Sequence, residues 1–235
     1  MVAVTFALPY ESAGFLNRLS ARSSETVADI DFQRGEIRQA RLIVLHTGVG
    51  EPICRKRLET LFQIAKVDYL ISAGFAGALD PDLKVGDLVI AENYSSPELL
   101  RGRGLQFGTL DVYTANLATT ATVVETAEER DELARRTGAA AVDMETESIA
   151  AACAQRKVPL LALRAISDTL AEPLPAPATV LFDTKRQKTP ALRLGWHILT
   201  HPGAIRALKQ FERRTATARQ RLSDALVSIL EANLV

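Results

Sequence analysis

Ala141-Val142-Asp143-Met144-Glu145 closes one apolar run of the chain, and Arg164-Ala165-Ile166-Ser167-Asp168 closes the next. Between them lie an Ala-rich helical stretch, Ser148 to Arg156, and the apolar run Val158-Pro159-Leu160-Leu161-Ala162-Leu163. This is a β–α–β unit with a carboxylate at the carboxyl end of each strand. In open α/β sheets ligands bind in the crevice outside those strand ends. Two acids on one rim, Glu145 and Asp168, suit one group that holds a substrate and one that moves a proton.

Further apolar runs read as buried strands: Val2 to Leu8, Leu42 to His46, Tyr69 to Ala73, Leu88 to Ala91, Ala139 to Val142 and Pro159 to Ile166. Helical patterns alternate with them. Pro52 to Ile64 repeats apolar residues at Ile53, Leu58, Leu61 and Ile64, with Pro52 in the first turn. Ala127 to Thr137 reads as a charged, exposed helix closed by Gly138. Strands alternating with helices predict an α/β three-layer αβα sandwich with a central mixed sheet. Ser95 to Thr109 and the Pro-rich Glu172 to Pro190 interrupt the pattern and read as loops, the former as a mobile one. Two more helical patterns follow, Ala191 to Thr200 and Pro202 to about Leu230. One domain, residues 1–235, is expected, with a basic helical extension from about 189.

A 47% hydrophobic and 24% charged composition is that of an ordinary globular protein, and a formal net charge of +0 gives no reason to expect nucleic acid. Charge is unevenly placed, however: ten basic residues lie between Asp183 and Arg221, against Asp183 and Glu212. Cys54 and Cys153, the two cysteines, show no metal or redox spacing, and Cys153 reads as a small buried thiol. His46, His197 and His201 lack metal-ligand spacing, so neither metal nor cofactor is expected. The apolar N-terminus has no basic n-region and reads as a first strand; no run is long enough to span a membrane. A cytoplasmic location is expected.

Glycine-rich strand ends complete the inventory. Thr47-Gly48-Val49-Gly50 lacks the third glycine of a dinucleotide fingerprint and the Lys-Ser/Thr of a P-loop. It and Ser72-Ala73-Gly74-Phe75-Ala76-Gly77-Ala78-Leu79 serve equally well as tight packing or as ligand-facing turns. Glu11 follows the first strand and opens a helix, where an acid is favourable on dipole grounds alone.

Taken together, Ala7-Leu8-Pro9-Tyr10-Glu11, Thr47 to Gly50, Ala73 to Leu79, Lys84-Val85-Gly86-Asp87-Leu88-Val89, Val142 to Glu145 and Arg164 to Asp168 resemble the nucleoside phosphorylase and nucleosidase superfamily. The branch they resemble is the methylthioadenosine/S-adenosylhomocysteine nucleosidases, over roughly residues 1 to 170. The resemblance implies an adenine-releasing nucleosidase acting on a 5′-substituted adenosine-type nucleoside. Asp168 would deliver a proton to N7 of the base from a raised pKa, with Ser167 orienting it. Glu145 would accept from the ribose hydroxyls, Met144 would pack on the sugar, and Glu11 would orient the attacking water as general base. Phe75, Gly77 and Val123, within Thr122-Val123-Val124, would line the pocket. Such chemistry must stabilise a cationic sugar and neutralise a leaving base.

Phosphorylases of the superfamily hold phosphate with arginines and a hydroxyl residue. The matching positions here carry Ser72 and Phe75, and Arg18 lies two helical turns beyond Glu11. Water is therefore favoured as nucleophile; a phosphate-dependent phosphorylase and a non-catalytic nucleoside-binding protein are the alternatives. The segment after Glu172 resembles hopanoid-associated phosphorylase-like proteins, which implies a lipid-linked nucleoside and contact of the basic helix with the inner membrane face. An ordinary amphipathic helix packed on the sheet is the competing expectation. Family members are dimers or hexamers, so the resemblance also implies a homo-oligomer, a dimer in the first instance.

Overall fold

A computed structural model describes residues 1–101, 107, 110–183 and 190–232. The elements run β1 (Val2–Phe6), α1 (Pro9–Leu16), β2 (Ser20–Val27), β3 (Ile30–Ile37), β4 (Ala40–His46), α2 (Glu51–Ile64) and β5 (Tyr69–Ala78). They continue β6 (Leu88–Ala91), α3 (Pro97–Leu100), β7 (Val112–Ala115), β8 (Leu117–Thr119), α4 (Ala127–Thr137), β9 (Ala141–Asp143) and α5 (Thr146–Arg156). Last come β10 (Leu160–Asp168), α6 (Ala178–Leu181), α7 (Ala191–Thr200) and α8 (Ala204–Glu231).

The strands form one mixed sheet in the order β2-β3-β4-β1-β5-β10-β6-β7, with β9 on the far end of β5 and β8 beside it. Its centre, β4-β1-β5-β10, is parallel, and β6 runs antiparallel to β10. The central strands are buried on both faces, which is why they read as unbroken apolar runs without alternation. One face is covered by α1 and α8, whose Phe15, Leu222 and Leu226 join Phe6, Ile71 and Leu163 in one core. The other is covered by α2 and α5, where Leu58, Leu61, Ile149 and Cys153 pack on Ile43, Leu45 and Leu70. The expected three-layer sandwich is what the chain adopts. Burial raises both thiols, Cys54 and Cys153, to about 12, leaving them inert.

Several expectations need correction. β5 runs on to Ala78, through the glycine turn. The run read as Ala139 to Val142 is the strand Ala141–Asp143. The antiparallel hairpin β2–β3 went unread because β2 is a polar strand with both faces exposed. Its two-residue turn is Ala28-Asp29, both at positive φ (50° and 62°), without the Asn-Gly that usually announces such a turn. Part of the loop read from Ser95 to Thr109 is the helical turn α3, anchored by buried Leu99; residues 102–106, 108 and 109 lie outside the described residues, as do 184–189 at the start of the expected extension. Of the two expectations for the last helix, the packed one fits the structure: α8 buries Ala218, Leu222, Ala225, Leu226 and Ile229 in the core against the sheet. No helix among the described residues is long and apolar enough to cross a membrane.

Candidate active site

The carboxyl ends of β1, β5 and β10 open on a cavity of about 240 Å³. Glu11, Phe75, Gly77, Val123, Met144, Glu145, Ser167 and Asp168 all line it. These eight residues, assigned to the site from the sequence, are thus brought to one place from five separate elements or loops. Leu8, Val49, Val124, Asp143, Leu174 and Arg130 line it as well.

Glu11 sits at the third position of α1 and turns back on the chain. Its Oε2 accepts the Leu8 N–H at 2.8 Å and its Oε1 accepts the Phe75 N–H at 2.9 Å. A Cβ on Gly74 would lie 3.2 Å from Oε1, so the glycine makes room for the carboxyl. Desolvation raises the Glu11 pKa, against the lowering effect of these two backbone donors and of Arg164. Phe75 stands edge-on to Tyr10 with ring centroids 6.4 Å apart, closing the cavity beside Glu11.

Glu145 caps the start of α5 and is 8% exposed. Its Oε1 accepts the Gly50 N–H at 3.4 Å, from a glycine at φ 97°, a conformation other residues reach only with strain. Burial, then the neighbouring charges of Asp143 and Glu11, push the carboxyl up to about 8. A carboxyl in this state can both donate and accept hydrogen bonds.

Asp168 ends β10 after a register shift between Ile166 and Asp168, a bulge that re-aims its side chain into the cavity. Ser167 donates from Oγ to Asp168 Oδ1 at 2.8 Å. The other oxygen, Oδ2, receives a charge-assisted hydrogen bond from Arg130 Nη2. Arg130 was missed in the sequence because it stands among Glu128, Glu129, Asp131 and Glu132 in a helix read as exposed. The available signal is its spacing: it precedes Leu133 by one helical turn, on the face α4 buries.

Behind the cavity lies a second buried ion pair. Asp143 accepts from Arg164 Nε at 2.9 Å and from the hydroxyls of Thr119 and Thr146. Arg164 Nη1 donates to the carbonyls of Ser72 and Leu163, and Nη2 to the hydroxyls of Ser72 and Thr146. An arginine therefore does reach Ser72, from the neighbouring strand, but all five of its N–H groups end on protein acceptors. His46 lies outside the cavity, hydrogen-bonded to Ser12 at 2.7 Å; desolvation and then Arg57 lower its pKa. Among the described residues no group of three or more His, Cys, Asp or Glu could hold a metal ion.

The model of the phosphorylase superfamily matches residues 1–114 and 97–200. The chain belongs to the phosphorylase superfamily. Within the superfamily it is 24% identical, over 196 residues, to the 5′-methylthioadenosine/S-adenosylhomocysteine nucleosidase of Staphylococcus aureus (strain JH9), covering 72% of this chain and 86% of that one. Among solved structures it shares the fold of the 5′-methylthioadenosine/S-adenosylhomocysteine nucleosidase of S. pneumoniae with a transition-state inhibitor, at a TM-score of 0.74, 20% identity and 98% coverage of both chains. A futalosine hydrolase mutant of Helicobacter pylori strain 26695 superposes with a TM-score of 0.73 at 17% identity, over 98% of each chain. The fold shared with these structures covers 98% of the chain, beyond the residues that the family model matches.

Proposed function

We propose that this superfamily member is a purine nucleosidase that hydrolyses the N-glycosidic bond of a 5′-substituted adenosine-type nucleoside and releases adenine. The observation that carries the choice of water over phosphate is the state of Arg164. A phosphate dianion needs cationic donors. Arg164, whose charge acts on Glu11, has every N–H engaged by protein, and Phe75 offers a phenyl ring where a hydroxyl would be required.

In this reading the ribose diol meets Glu145 while Met144 packs against the sugar. As the C1′–N9 bond breaks, its electron pair enters the purine and N7 becomes basic. Asp168, held by Ser167, gives N7 its proton. Water, held by Glu11, attacks C1′ and gives up a proton to that carboxyl, which burial has made a better base. One proton is delivered and one is taken up. The relatives' activity as 5′-methylthioadenosine/S-adenosylhomocysteine nucleosidases supports adenine as the leaving base, and the likeness to a futalosine hydrolase keeps other nucleosides among the candidate substrates. A lipid-linked 5′ group remains in this proposal through the exposed Leu192, Trp196 and Leu199 of α7.

The test is incubation with methylthioadenosine, adenosylhomocysteine, futalosine and a lipid-linked adenosine, with and without phosphate. Free base and free sugar are expected without phosphate for at least one of them. An absolute phosphate requirement with a sugar phosphate as product would overturn the hydrolytic reading.

A further inference from the structure

Arg130 is 2% exposed, which makes it the largest fully buried side chain among the described residues. Nothing about α4 asks for it. Arg130 is the fourth residue of the helix, where a cation opposes the helix dipole, and four acids flank it that would pair with it if it faced solvent. Instead it points inward and its guanidinium is held at three places. Nε donates to the Val124 carbonyl at 3.3 Å, Nη1 to the Ala78 carbonyl at 3.0 Å, and Nη2 to Asp168. The two carbonyls fix the plane of the guanidinium, so the position of the Asp168 partner is set by backbone. Gly77 lies under the pair: a Cβ there would come within 3.1 Å of Asp168 Oδ2 and 3.3 Å of Arg130 Nη1. Taking a guanidinium out of water is costly, so its burial here is weakly explained by stability alone.

We propose that Arg130 is the positioning residue for the acid of the reaction. Its guanidinium fixes the Asp168 carboxyl beside Gly77 and takes up the negative charge that the carboxyl acquires when its proton passes to N7. This rests on Asp168 serving as the acid in the nucleosidase reading. The step itself is unchanged: the Asp168 O–H bond breaks, the N7–H bond forms, and the carboxylate left behind is met by a cation already in place. Preorganised charge of this kind acts where charge develops and needs no rearrangement during the reaction. Ser167 on Oδ1 and Arg130 on Oδ2 then leave the carboxyl no freedom to rotate away from the base.

The decisive experiment compares two leaving groups. A purine needs protonation to depart; para-nitrophenolate, from para-nitrophenyl β-riboside, does not. R130Q keeps a donor but loses the charge. It is expected to lower kcat on the purine nucleoside about 100-fold, with KM little changed, and to leave turnover of the aryl riboside at the wild-type level. R130K keeps the charge but cannot span both carbonyls, so about a tenfold loss is expected on the purine substrate alone. Equal losses on both substrates, in whichever variant folds, would make Arg130 merely structural and overturn the proposal. So would wild-type turnover of the purine by R130Q. D168N separates the two readings: if it loses purine turnover while R130Q does not, only the role of Arg130 fails. If D168N itself turns over the purine normally, the assignment of the acid fails first.

Discussion

Burial beside Asp143 and Glu11 raises the Glu145 carboxyl to about 8, from the 4.5 of an unperturbed glutamate. The consequence for stability has a definite sign. Between those two values the unfolded chain has released the proton and the native chain still holds it. Stability is therefore highest below the ordinary value, falls as pH rises towards 8, and levels off above. Each unit of such a shift corresponds to about 1.4 kcal/mol, so the full effect is a few kcal/mol. E145Q cannot ionise. Its thermal midpoint is expected to match the wild type near about pH 4 and to exceed it by several degrees near about pH 9, with activity lost at both. Parallel midpoints across the range would show that Glu145 ionises freely in the native protein. The residue types at this scale were legible in the sequence: Glu11, Glu145 and Asp168 stand at strand or helix ends, and all three line the cavity. Arg130 was not legible, because a charge among charges in an amphipathic helix gives no sign of which way it faces.

Helix α4 places Arg130 through its first turn. Thr126 Oγ1 accepts the Glu129 N–H and Glu129 Oε2 accepts the Thr126 N–H, both at 3.1 Å, a reciprocal capping box one residue ahead of Arg130. T126A removes one half of it. A loss of about 1 kcal/mol is expected, read as a lower urea midpoint at unchanged slope, with T126S retaining most of the stability. An unchanged midpoint would mean that tertiary contacts of Leu133 hold the helix without its cap. At this scale the sequence is legible where the pattern is strong. Pro52 in the first turn of α2 and Gly138 at the end of α4, with φ 65°, follow rules of local conformation. The β2–β3 hairpin escapes those rules because its turn residues, Ala28 and Asp29, take positive φ without being glycine or asparagine. β7 and β8 escape them because three or four residues are too few to show a period.

For the molecule as a whole, the long basic helix decides where the domain ends. One side of α8 faces solvent, with Arg206 and Arg213 exposed, and the other supplies Leu222, Leu226, Ile229 and Leu230 to the core that includes Phe15 and Leu163. Removing residues 204–232 would leave that face of the sheet uncovered. The shortened chain is expected to be insoluble or to lose its cooperative unfolding transition, while a soluble, active product would show α8 to be a dispensable extension. The sequence by itself determined the alternation of strands and helices, and with it the layered sandwich and the rim on which the acids stand. It did so because buried parallel strands need continuous apolar runs, and glycines and prolines mark the turns between them. Only the tertiary structure decided the partners of those acids. Arg130 meets Asp168 across 38 positions and Arg164 meets Ser72 across 92. Local rules reach a few residues along the chain, whereas a buried charge is assigned by whatever the packed sheet brings beside it.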